Sequence, residues 1–242
     1  MNLVGGIAFL AAIIYCAIFL GDLSFTDFIS IATNPQISGT YTVLLVVPLV
    51  LFSIAAITKA AQMPFHTWLL GAMVAPTPTS ALLHSSTMVK AGVFLLVRLA
   101  PVFGACSTPL TATLTGSGSL EMPLELTTFM ALPCFMVVGI GAITFCICSF
   151  AAISQNNAKR VLAYSTIANL GLIVACAGVG TDVAVWAACF LILFHAIAKS
   201  LLFLCVGTAE HHIGSRDIEE MDLLFERMPK LATCMIFGIL FM

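Results

Sequence analysis

The sequence predicts an all-α polytopic membrane protein, and three observations predict it. Of its 242 residues 61% are hydrophobic and 8% charged, with a mean hydropathy of +1.13; a soluble domain carries about 25% charged residues. Apolar runs recur at the ~20-residue length that crosses a ~30 Å hydrocarbon core as a helix. Short polar segments between these runs hold most of the charge. The lipid bilayer is therefore the first partner expected. A net charge of -2 with no basic run argues against a nucleic-acid partner.

Residues 3–20 read as the first span and contain no charge. No positively charged segment and no A-x-A site accompany them, so they read as a mature span and not as a signal peptide. Residues 21–40 form a polar loop with Asp22, Asp27 and Pro35. Residues 41–73 are longer than one span needs, and "APTPTS" at 75–80 supplies a turn and a helix start. Spans are expected at 77–99, 126–153, 161–178 and 183–206, with loops at 101–125, 154–160 and 207–230. A seventh span starts at Leu231, and 12 of its residues, through Met242, are present. The whole chain, 1–242, reads as a single transmembrane domain and as a fragment of something longer.

Loop charges orient these spans. With the 154–160 loop in the cytoplasm, Lys159, Arg160, Arg216, Arg227 and Lys230 share that side and Arg98 stands alone on the other, as the positive-inside rule requires.

The nine cysteines are dispersed, with no CxxC pair and no iron–sulfur spacing. Cys146 and Cys148 are two residues apart and would face different sides of a helix. The expectation is no redox centre, no metal and no other cofactor. Nor does a nucleotide loop or a nucleophile with its base mark a catalytic centre.

Five ionisable residues fall inside spans: Lys59, His84, Lys90, His195 and Lys199. A charge at mid-bilayer costs about 2.5–3.5 kcal/mol on insertion scales, and such residues mark ion or proton paths. Each also has a plainer reading. Lys90 could snorkel toward the level of Arg98, and His84 could be a packing histidine. His195 and Lys199 lie at i,i+4 on one helix face. Every in-span group is of a proton-exchanging type, which favours a proton pathway over inert pairing.

The stretch "TKAAQMPFHTWLLGAM" (58–73) carries the second signal. Pro64 removes a helical hydrogen bond and clashes with the carbonyl of Ala60, next to Lys59. Backbone groups freed in a membrane must find protein or water, and broken helices near the midplane recur in transporters. The reading is a titratable amine beside freed carbonyls and a water pocket. His66, just past the break, is a secondary candidate with a plainer reading as a polar cap.

"TKAAQMPFHTWLLGAMVAPTPTSALLHSSTMVKAGVFLLVRL" (58–99) closely resembles the signature of the antiporter-like, proton-conducting membrane subunits. That family comprises the large antiporter-like subunits of complex I, the Mrp antiporters and the membrane subunits of energy-converting nickel–iron hydrogenases. "AKRVLAYSTIANLGLI" and "FHAIAKSLLFLCVGT" resemble its next two landmarks. The resemblance implies an antiporter-like fold of two inverted five-helix repeats, each with one broken transmembrane helix. Lys59 then matches the central lysine, and His84, Lys90, His195 and Lys199 match the connecting positions. The acidic partner of the central lysine is expected upstream of Met1, and the second broken helix beyond Met242.

The implied function is proton translocation in a redox-driven complex, of hydrogenase or NADH:quinone oxidoreductase type, with other membrane subunits as partners. No cofactor is expected in this chain. The alternative is an Mrp-type sodium/proton antiporter. "EHHIGSRDIEEMDLLFERMPKLA" ranks hydrogenase first, complex I second and Mrp third. The expected location is the inner membrane of a prokaryote.

Overall fold

The computed structural model describes residues 1–21, 24–33, 38–85, 87–115, 124–222 and 224–242, with side chains except at 38–43, 108–115 and 124–127. Helix α1 (Asn2–Phe19) packs on α3 (Ser38–Lys59), and α2 (Phe25–Thr33) lies between them in sequence. After a break come α4 (Thr67–Gly71), a 3-10 turn (Ala72–Val74), α5 (Thr77–Ser85) and α6 (Met88–Thr115). The long helices α7 (Leu124–Ile153), α8 (Ala158–Val179) and α9 (Asp182–Ile213) follow. The short α10 (Leu224–Arg227) and α11 (Pro229–Leu240) end the described chain.

Five segments among the described residues are long and apolar enough to cross a membrane. With the broken α3–α4 they account for the six expected spans. The faces turned outward are apolar: Leu3, Ile7, Leu10 and Ile14 on α1, and Trp186, Phe190, Leu193 and Ile197 on α9, are exposed. That pattern suits lipid or neighbouring helices.

Four boundaries differ from the sequence reading. The 21–40 loop contains α2, started by a reciprocal cap in which Ser24 N donates to Asp27 Oδ2 and Asp27 N donates to Ser24 Oγ. Asp22 and Pro35 lie outside the described residues. Helix α6 runs past Pro101 to Thr115, through a segment expected as loop, because Val102, Phe103 and Cys106 are buried in the core. Helix α9 continues to Ile213, where Gly214 at φ +81 accepts the left-handed turn that ends it. The third span is divided between α5 and α6. There the Thr87 hydroxyl donates to the carbonyl of Leu82, five residues back instead of four.

Helices approach through small residues, as membrane packing without a strong hydrophobic drive requires. A Cβ on Gly141 of α7 would lie 2.7 Å from the Gly171 carbonyl of α8, and one on Gly171 would lie 2.7 Å from the Gly141 carbonyl. Gly139, two residues earlier, meets nothing within 4 Å. Gly141→Leu is expected to reduce the monodisperse, detergent-solubilised fraction of the protein, and Gly139→Leu to leave it unchanged. Size-exclusion chromatography reads both.

The loops at 154–160 and 214–218 meet at one end of the bundle. Ala158 N donates to Arg216 O at 3.0 Å and Ile218 N to Asn156 O at 2.9 Å. Thr77 reaches the same end, donating to Glu210 Oε2. The loops that carry Lys159, Arg160 and Arg216, expected on one side from their charge, therefore do share one end of the bundle. Cys146 is exposed and Cys148 buried, so the two do face opposite sides.

Candidate ion-conducting site

Helix α3 ends at Lys59, and the chain turns through Ala60–His66 before α4 begins. Ala61 takes a positive φ of 51 there. Pro64 has no N–H to offer the Ala60 carbonyl; that carbonyl accepts from Gln62 Nε2 at 3.0 Å instead. The Trp68 indole donates to Thr58 O at 3.2 Å, and Met63 N donates to Thr144 Oγ1 of α7 at 3.1 Å. The sequence reading expected freed carbonyls to face a water pocket. These three groups are met by protein side chains, so the break is a built junction among α3, α4 and α7. Two atoms at the junction remain buried without a partner, Gln62 Oε1 and His66 Nδ1.

Lys59 is half-buried in a crevice of about 270 Å³ between α1, α3 and α6, with Asn2, Gly5, Thr58 and Gly92 in its wall. A Cβ on Gly5 would overlap Thr58 Oγ1, and one on Gly92 would lie 2.4 Å or more from the backbone of Ala56 and Ala60. The two glycines let α1 and α6 close around the end of α3.

The other four predicted residues come together. His84 on α5 and Lys199 on α9 are fully buried, and His195 is 4% exposed. His195 lies in the electrostatic field of Lys90, Lys199 and His84 together. The divided third span allows this, since α5 delivers His84 and α6 delivers Lys90 to the same face of α9. Lys90 Nζ donates to Ile192 O at 2.7 Å across to α9, so it does not snorkel outward. Lys199 Nζ donates to Ser165 Oγ of α8. The ring nitrogens of His84 and His195 have no hydrogen-bond partner among the described residues. A neutral imidazole holds one donor and one acceptor, so both rings keep unmet hydrogen-bonding capacity. His84 also packs on Phe203, with ring centroids 5.0 Å apart and the rings tilted by 32°, as its plainer reading as a packing histidine expects.

Sequence reasoning missed a second charged site. Lys159, counted above as a loop cation, is the second residue of α8, and its side chain is 3% exposed. It pairs with Glu210 Oε2 at 2.6 Å, while Arg216 takes Glu210 Oε1. Asn157 caps the helix by accepting from Lys159 N and Arg160 N. A cation in the first turn opposes the helix dipole, which was the available signal that Lys159 needs a carboxylate.

A multi-pass helical domain with a broken helix and a buried cluster of lysines and histidines has the architecture of an antiporter-like membrane subunit. The chain belongs to the NADH:quinone oxidoreductase/Mrp antiporter transmembrane family, whose model matches residues 1–132 and 120–242. A Staphylococcus aureus (strain JH9) chain carrying the name antiporter subunit mnhA2 is 36% identical over 98% of this chain, and the strain MRSA252 chain is 35% identical. The chain spans 28% of the length of those relatives. The Mrp complex from Dietzia sp. DQ12-45-1b superposes with a TM-score of 0.77 at 33% identity, over 96% of this chain and 23% of that one. An archaeal membrane-bound sulfane sulfur reductase superposes equally well, at 0.77, over 98% of this chain and 44% of that one. Its 22% identity makes this a likeness of fold alone. The protein is an integral, multi-pass protein of a prokaryotic plasma membrane.

Proposed function

We propose that this chain forms a proton-conducting part of an Mrp-type cation/proton antiporter, working within a multi-subunit membrane complex. One observation carries the choice of proton: among the described residues, His84, His195 and Lys199 are buried within the spans and Lys90 bonds Ile192 O beside them, and all four are lysines or histidines. Such a cluster repels a sodium ion, whereas each of its members can bind and release a proton. Protons would enter and leave through Lys59, His84, Lys90, His195 and Lys199, with water between groups that do not touch. The names of the relatives favour the Mrp type, which the sequence reading ranked third.

The competing reading, a subunit driven by redox turnover, differs in its source of energy. Sealed vesicles holding the assembled complex separate the two. A sodium gradient imposed without any electron donor is expected to change the luminal pH. A pH change that appears only during electron transfer, and ignores sodium, would replace this proposal with the redox-driven one.

A further inference from the structure

Two polar sites lie on one face of α9: Lys199 in the buried cluster, and Glu210 eleven residues later, about 16 Å along the axis. Glu210 and Lys159 stand in a crevice of about 690 Å³ whose wall includes the exposed Pro76, His211 and Arg216. Between the two sites the packing of α8 against α9 is apolar. Phe203 is fully buried and Leu202 and Val206 nearly so, against Met73, Leu162 and Ala163.

Two elements repeat the same order. On α9 it runs Lys199, Phe203, Glu210. On α8 it runs Ser165, then Leu162 and Ala163, then Lys159. On α5, between His84 and Thr77, Ala81 stands beside the fully buried Ser80, whose hydroxyl donates to Ala75 O at 3.4 Å. The cross-links tie these levels together. Lys199 bonds Ser165 at the inner level, Glu210 bonds Lys159 and Thr77 at the outer level, and His84 packs on Phe203 at the boundary. Apolar residues therefore interrupt the polar faces of α8 and α9 between the two sites, and Phe203 is the largest of them.

We propose that Phe203 is a dry plug that separates the buried lysine–histidine cluster from the crevice at Glu210. The plug rests on the proposed transport function for its purpose, which is to prevent protons from short-circuiting between cluster and solvent. Its existence rests on the packing alone.

Ser165→Cys places a thiol on the inner side of the plug with little change in volume. A charged, membrane-impermeant methanethiosulfonate reagent is added to sealed vesicles of the assembled complex, from the side of the 154–160 loop. The chain with only its native cysteines serves as the blank. With Phe203 in place, labelling of Ser165→Cys is expected to match the blank, because the reagent needs a solvated thiolate. With Phe203→Ala added, labelling is expected to rise severalfold. Phe203→Val gives a smaller rise and serves where the alanine variant fails to assemble.

Labelling with Phe203 present would overturn the plug. So would a thiol that stays unreactive in both Phe203 variants of an assembled complex. Failure of the transport proposal would appear in ion flux and leave these labelling results as they are.

Discussion

Glu210→Ala is expected to destabilise the protein by about 1–3 kcal/mol, because it strands the buried Lys159 ammonium while Glu210 itself is partly exposed in the crevice. Lys159 would keep its ammonium in a site whose side chain is 3% exposed, with its carboxylate gone. Thr77 and Arg216 would lose their acceptor as well, which unties α5 and the 214–218 loop from the end of α9. The measurement is the thermal midpoint of the purified complex, or its yield where it does not assemble. Lys159→Met in the same background removes the stranded charge, and it should recover a large part of the loss. Recovery of that kind is the signature of coupling within one pair.

Lys199→Met is expected to act in opposite directions on stability and on transport. Lys199 is fully buried, and its amine has a serine hydroxyl as its partner and no carboxylate. Burying a charge without a counter-charge costs free energy, and methionine fills a similar volume without that cost. The thermal midpoint should rise, while ion flux by the assembled complex falls to near background. A buried cation kept at the expense of stability is what a functional site looks like. Loss of flux accompanied by a lower midpoint would instead identify Lys199 as a packing residue.

How much of this was legible follows from what each residue costs. Lys59 and Pro64 announced the break because an ammonium and a proline are both expensive in an apolar helix. His84, Lys90, His195 and Lys199 were visible for the same reason, and the i,i+4 spacing on α9 gave two of them a common face. That α5 and α6 bring His84 and Lys90 to this face was not legible, since nothing in "LLHSSTMVKAG" marks an interruption as Pro64 does. Lys159 and Glu210 were hidden because each adjoins polar residues and looks like loop charge. Their partnership spans 51 positions in the chain, and no local pattern encodes it. Helix α2 was legible and overlooked: Ser24 and Asp27 spell a capping box in a stretch read as loop.

The fate of the freed carbonyls could not have been foreseen from Pro64 alone. Gln62, Trp68 and Thr144 satisfy the groups around the break, and Thr144 comes from a helix 81 residues away. The junction is thus rigidly specified while Lys59 beside it has an open crevice. That combination suits a lysine whose amine exchanges its proton while the backbone around it stays put.

The most direct test of the central claim is proton movement by the assembled complex in sealed vesicles, wild type against Lys59→Ala, under the driving force that powers the wild type. Assembly is checked in parallel. The account predicts that proton movement collapses while the complex remains intact. Proton movement at the wild-type rate in an intact Lys59→Ala complex would contradict it, and would make the lysine at the helix break a structural residue.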